Sequence, residues 1–263
     1  MKKLKITFMW IAVMLLSVTG VKAQTVTPSK NYITREVKNV SNFNSIKVLG
    51  SPDVEYRQSI GSQTTVSIYG SDNLVDLLEV STVDGVLQVN MKNNVNIQGG
   101  EWRLKVIASS PSLINVDIQG SGDVDLKGLI QGTDIKLNIV GSGDIDTENL
   151  KYANVSAVVK GSGDIVLNNL KVSNLNAEVF GSGDIEMKGM AQRAVLAVNG
   201  SGDIDAEKLV GVNVVATVSG SGDIVCNVSK QLDATVNGSG DIEYGGNPSV
   251  INKKGKRDQI SKR

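Results

Sequence analysis

The tetrapeptide Gly-Ser-Gly-Asp begins at Gly120, Gly141, Gly161, Gly181, Gly200, Gly220 and Gly238, at spacings of 21, 20, 20, 19, 20 and 18 residues. Seven copies at so even a period define an internal-repeat architecture, and the drift of a residue or two marks small insertions in loops. Around each copy the apolar residues fall at every second position. Two residues before the first glycine stand Ile118, Ile139, Val159, Val179, Val198, Val218 and Val236. Four residues after it stand Val124, Ile145, Ile165, Ile185, Ile204, Ile224 and Ile242. Six residues after it come Leu126, Thr147, Leu167, Met187, Ala206, Cys226 and Tyr244. A period of two on both sides of a glycine corner describes two short strands that meet at a bend and share one interior. A further position nine residues along (Leu129, Leu150, Leu170, Met190, Leu209) is expected to supply a third inward face.

A chain that turns inward-facing strands around a corner every 20 residues or so stacks on itself, each coil pairing with the next about 4.8 Å away. The expected fold is all-β, a parallel β-helix with a less regular N-terminal β lobe. A right-handed coil follows from the usual hand of parallel connections. An antiparallel sandwich with Gly-rich turns is the alternative. Residues 36–119 read as the N-terminal lobe, with alternation in Phe43-Asn44-Ser45-Ile46-Lys47-Val48 and Thr64-Thr65-Val66-Ser67-Ile68. Val83-Asp84-Gly85-Val86 reads as a two-residue hairpin turn. Gly50-Ser51-Pro52-Asp53-Val54 looks like a degenerate first copy of the corner. Residues 24–35 are polar and expected to be a flexible lead, and residues 120–250 form the repeat region. In residues 251–263, Gly255, Asp258 and Ile260 suggest a final, altered coil whose cations would block pairing at the open edge. A disordered basic tail is the other reading of that segment.

Compartment and composition narrow the chemistry. Lys2, Lys3 and Lys5 precede an apolar run over residues 6–18, and Val21-Lys22-Ala23 offers small residues for cleavage, so residues 1–23 read as a secretory signal peptide. The mature chain is expected to be exported, to the periplasm, the outer-membrane surface or the exterior. No later apolar run is long enough to span a bilayer. The absence of histidine excludes His-based triads and proton shuttles, along with His-ligated zinc. Cys226 is the only cysteine, so no intramolecular disulfide forms, and its inward column marks it as a buried thiol. The whole chain is formally neutral, with 27 basic and 27 acidic residues. Residues 24–250 hold 17 of the basic and 26 of the acidic ones, a net charge of −9, because the two ends take the remaining cations. An acidic body speaks against nucleic acid as a partner.

At the corner, the glycines are expected to supply backbone with φ > 0. The serine is expected to bond along its column or to corner amides. The aspartates pose an electrostatic question, because carboxylates about 4.8 Å apart repel by about 0.9 kcal/mol in water and about 3.5 at an effective dielectric of 20. Amides of the same glycine corner, solvent, or bridging cations would each offset that repulsion. The cation reading makes Asp144, Asp164, Asp184, Asp203 and Asp223 candidate calcium ligands. Asp125, Asp146, Glu186, Asp205 and Glu243, two residues further along, would thicken the acidic flank. The nonapeptide pattern of calcium-binding coils is absent.

The strand at residues 43–48, the Val83-Asp84-Gly85-Val86-Leu87 turn, the Gly-Ser-Gly-Asp-Ile series and Gly246-Asn247-Pro248 together resemble the auto-transporter adhesin family with a "head GIN" domain. The resemblance spans nearly all of the mature chain and implies an exported bacterial protein with a β-helix-like fold. It carries no catalytic residues. Where the series would place another Gly-Ser-Gly, this chain has Gly255-Lys256-Arg257-Asp258, and no strands suited to a transporter barrel follow. The expected function is a non-catalytic binding or adhesion module that presents a repetitive acidic surface to a glycan, matrix or envelope partner. A structural envelope protein without ligand, or a polysaccharide-acting enzyme, are the alternatives.

Overall fold

A computed structural model describes residues 24–92, 95–99, 102–256 and 258–263. The signal-peptide reading of residues 1–23 lies outside the described residues. The repeat region is a parallel β-solenoid. Each of the first six corners is followed by one long strand, among them Val124–Gly141, Ile145–Gly161, Ile165–Val179 and Ile185–Val198. Ile204–Val218 and Ile224–Val236 continue the series, each strand hydrogen-bonded in parallel to the one before and the one after.

Register turns the alternation of the sequence into columns. The residue after each corner forms one inward column: Val54, Val124, Ile145, Ile165, Ile185, Ile204, Ile224, Ile242 and Ile260 are successive partners. A second column, before the corner, runs Val48, Ile118, Ile139, Val159, Val179, Val198, Val218 and Val236. All of these side chains are buried. β-Branched residues suit such columns, because each stacks on its like on a pleated surface. Full burial of one such side chain stabilises by about 1.5–3 kcal/mol.

The stack begins earlier than the repeat suggests. Gly50 is the register partner of Gly120 and Val54 that of Val124, so Ser45–Gly50 and Asp53–Gln58 form a coil ahead of the boundary expected at residue 120. Below that coil lie Val86–Met91 and Leu104–Ser110, also parallel to it. Antiparallel strands then cover this end: Leu78–Val83 on Val86–Met91, and Thr65–Ser71 on Leu104–Ser110. The hairpin turn is as expected, with Asp84 at φ 50° and Gly85 at φ 76°.

Two expectations need correction. Residues 24–35 are not an unpaired lead: Gln24–Val26 pairs with Val95–Ile97, and Tyr32–Glu36 pairs antiparallel with Thr65–Ser71. Asp72 fastens the link between them, accepting from Ser29 Oγ and from Asn31 Nδ2 at 2.9 Å. Second, Leu129 and Met190 do not face inward; they are 53% and 56% exposed. Gly128, at φ 76°, adds a residue to its coil, so Ile130 rather than Leu129 pairs with Leu150. The coil from Gly181 is one residue short at the same place, so Gly189 pairs with Leu170 and Met190 pairs with outward Lys171. In the segment read as a final, altered coil or a basic tail, Val250–Lys254 pairs with Gln231–Thr235, and Ile260–Lys262 with Ile242–Tyr244. Gln259, not Asp258, takes the aspartate's place there, because the Ile242 amide donates to the Gln259 carbonyl (2.8 Å) as Ile224 does to Asp241 (3.0 Å).

Candidate functional site

The corner is shaped by the closeness of successive coils. A Cβ on Gly143 would lie 2.1 Å from the Gly122 carbonyl oxygen, and one on Gly163 would lie 2.0 Å from that of Gly143. Left-handed φ is confined to Gly50, Gly120 and Gly141 among the corner glycines. Close backbone approach, rather than φ > 0, is therefore the general reason for glycine here. The serine amide and the following glycine amide both donate to one carbonyl of the preceding coil, as Ser182 (2.8 Å) and Gly183 (3.1 Å) do to Gly161. That leaves the aspartate amide without a ladder carbonyl.

The preceding aspartate supplies the missing acceptor. Oδ1 of Asp144 accepts from the Asp164 amide (2.8 Å), Asp164 from Asp184 (2.7 Å), and Asp184 from Asp203 (2.7 Å). Asp203 accepts from Asp223 and Asp223 from Asp241, both at 2.7 Å. The row starts at Asp53, which accepts from the Asp123 amide at 3.1 Å, and Asp123 accepts from Asp144 at 2.9 Å. The carboxylates thus bond to the amide of the next coil and not to their own corner. A charge-assisted bond contributes about 1.5–3 kcal/mol, enough to outweigh the repulsion between exposed neighbours in water. The corner serines are exposed, and their hydroxyls take no part in this ladder.

The five candidate calcium ligands lie in this one column, each with Oδ1 engaged by an amide. Among the described residues, no three acidic or thiol groups converge closely enough to hold a metal ion. The flanking column places Asp125, Asp146, Val166, Glu186, Asp205, Val225 and Glu243 in register. Cations meet part of it: Lys127 to Asp125 (3.0 Å), Lys188 to Glu186 (2.8 Å) and Arg263 to Glu243 (3.2 Å). Partial burial raises the pKa of Asp146 from its ordinary value, with Asp125 and Asp144 adding to the effect. Asp164, Asp184, Asp203, Glu186 and Asp205 line a shallow hollow of about 320 Å³ on this flank. Cys226 is buried, and desolvation pushes its thiol up to about 12, so it has no nucleophilic character at neutral pH.

Two outward features escaped the sequence reading. Asp134, Asn154, Asn174, Arg193, Asn213 and Gln231 are successive register partners. Asn154 Nδ2 donates to Asp134 Oδ1 (2.7 Å), and Asn174 Nδ2 donates to Asn154 Oδ1 (2.8 Å). Asn154, Asn174 and Asn213 each fall 13 residues after a first glycine, a signal the insertions obscured elsewhere in the column. The second feature is a trough of about 750 Å³ along the side of the stack. One wall is the column Gln131, Lys151, Lys171 and Met190. Its floor includes Tyr152 and Val172, and Tyr152 is pinned by its hydroxyl donating to the Leu113 carbonyl at 2.7 Å. At one end Gln58 joins two coils, accepting from the Gln131 amide (2.7 Å) and donating to the Pro111 carbonyl (2.8 Å).

This corner-and-column geometry is that of a repeat solenoid whose exposed side chains are displayed at the coil spacing, and the comparisons agree. Residues 42–248 match the family described as "Putative auto-transporter adhesin, head GIN domain", and the chain belongs to that family. Among solved structures, a "putative lipid binding protein" from Parabacteroides distasonis is 28% identical, with a TM-score of 0.79, covering 91% of this chain and 100% of its own. A "putative adhesin" from Bacteroides fragilis is 30% identical, with a TM-score of 0.68, over 90% of this chain and 99% of its own. A second Parabacteroides distasonis "putative adhesin" is 25% identical, with a TM-score of 0.76, over 91% and 100%. No functionally curated protein sequence matches. No helix among the described residues is long and apolar enough to cross a membrane.

Proposed function

We propose that the chain is an exported, non-catalytic binding module of the adhesin kind, a stiff solenoid whose outward columns engage a cell-surface, matrix or envelope partner. The observation that carries this reading is the division of labour in each coil. The inward columns and the corner are consumed by the fold, while the outward positions repeat in register along the stack outside the core. Family membership and the adhesin neighbours support it. The acidic flank by itself is weak ground for the partner, since Lys127, Lys188 and Arg263 already neutralise part of it.

The test is binding of the fluorescently labelled chain from residue 24 to a panel of immobilised polysaccharides, matrix proteins and bacterial envelope fragments. Saturable binding to one class, without turnover of it, is the expected result. Release of soluble sugar or peptide from any surface would contradict the non-catalytic reading. Absence of binding to every surface would favour a purely structural envelope role.

A further inference from the structure

We propose that the trough beside Lys151 and Lys171 is a binding site for an acidic polysaccharide, with the two lysines pairing with carboxylates of uronic-acid units. The proposal deepens the binding-module reading and rests on it.

Lys151 and Lys171 are direct register partners on adjacent coils, so two like charges stand about 4.8 Å apart along the stack. Both are exposed, and among the described residues neither has an acidic partner within ion-pair distance. Lys127 and Lys188, beside the acidic flank, are by contrast each paired with a carboxylate. No acidic residue lines the trough, although residues 24–250 carry a net charge of −9. A concave, purely cationic and neutral surface on an acidic body concentrates anions there, because concave walls focus the local field.

The remaining lining selects among anions. Across the trough from the lysines stand Ala153 and Ser173, whose short side chains keep it open along the stack axis. Gln131 and Gln192 offer amides that both donate and accept, which suits a polyhydroxyl chain. Val172 on the floor and Met190 at the rim give apolar contact for the C–H face of a sugar ring. Lys151, Tyr152, Lys171, Val172 and Met190 sit within the parallel ladder and not at a sheet edge, so an extended acidic peptide finds no free edge to pair with there.

The test uses biolayer interferometry with immobilised polygalacturonate, dextran and poly-L-glutamate, on the chain from residue 24. Binding to polygalacturonate is expected, weakening as salt rises, with dextran inert and poly-L-glutamate at least about tenfold weaker. The double variant Lys151→Gln/Lys171→Gln is expected to lose at least about tenfold in affinity. Lys160→Gln, on another face, is expected to bind like the parent, and all variants to melt alike. No polygalacturonate binding, or binding unchanged in the double variant, would overturn the site. Equal binding of poly-L-glutamate would overturn the polysaccharide assignment. If the parent binds a surface from the wider panel but not polygalacturonate, the trough is refuted while the binding-module reading stands.

Discussion

A single oxygen explains why aspartate recurs at the corner. Asp164 Oδ1 stands where a ladder carbonyl would otherwise receive the Asp184 amide. Asp164→Ala removes that acceptor and is expected to cost about 1–3 kcal/mol, read as a fall in the urea midpoint. Asp164→Asn keeps an amide oxygen in the same place and is expected to cost less than half as much. Ser162→Ala is expected to stay within about 0.5 kcal/mol, since that hydroxyl is exposed and outside the ladder. Gly163→Ala would drive a methyl against the Gly143 carbonyl and is expected to cost at least about 1–3 kcal/mol. The aspartate column was legible in the sequence, but its bonding partner was not. Whether a carboxylate turns to its own corner or along the stack depends on which amide the glycine approach leaves without a carbonyl. Calcium at millimolar concentration is expected to leave the melting temperature of the parent unchanged, because Oδ1 of each of the five candidate ligands, Asp144, Asp164, Asp184, Asp203 and Asp223, is already engaged. A rise in melting temperature with calcium but not magnesium would contradict this. For Asp146 the sign runs the other way from a paired carboxylate. Its pKa is raised in the folded state, so the native protein holds the proton more tightly, and its contribution to stability falls as pH rises through that window. Asp146→Asn is therefore expected to raise the melting temperature at pH 7, with the gain vanishing at pH values below the ordinary carboxylate range.

At the scale of one coil, period-two alternation located the inward faces near each corner because the stretches immediately before and after it keep one register from coil to coil. It failed nine residues along, where Gly128 adds one residue to its coil and the coil from Gly181 is one residue short at Gly189. A shift of one residue exchanges the inner and outer faces of a strand, which is why Leu129 and Met190 point outward while Ile130 and Ala191 are buried. Leu129→Gln is accordingly expected to stay within about 0.5 kcal/mol of the parent, and Leu150→Ala to cost about 2–5 kcal/mol. Chemical denaturation of the two variants side by side checks the pair, and equal losses would contradict the assigned register. The asparagine ladder was hidden by the same drift, since the column keeps its place in space while its sequence offset changes from coil to coil.

Across the whole molecule, one inward column runs from Val54 to Ile260 and joins segments whose sequences look unrelated. The N-terminal coil was partly legible through Gly50 and Asp53, whereas the antiparallel cover of Tyr32–Glu36 and Thr65–Ser71 has no repeat signature. Its pairing is set by contacts roughly 35 residues apart in the chain. In a stack of this kind each coil is stabilised mainly by its neighbours, so the ladder of aspartates acts locally at each step and cumulatively along the length. The most direct test of that claim is amide hydrogen exchange of the parent and Asp164→Ala, followed at the corner amides. Strong protection of the Asp184 amide is expected in the parent and its selective loss in the variant, with Asp223 and Asp241 unchanged. A fast-exchanging Asp184 amide in the parent, or one equally protected without the Asp164 carboxylate, would contradict it.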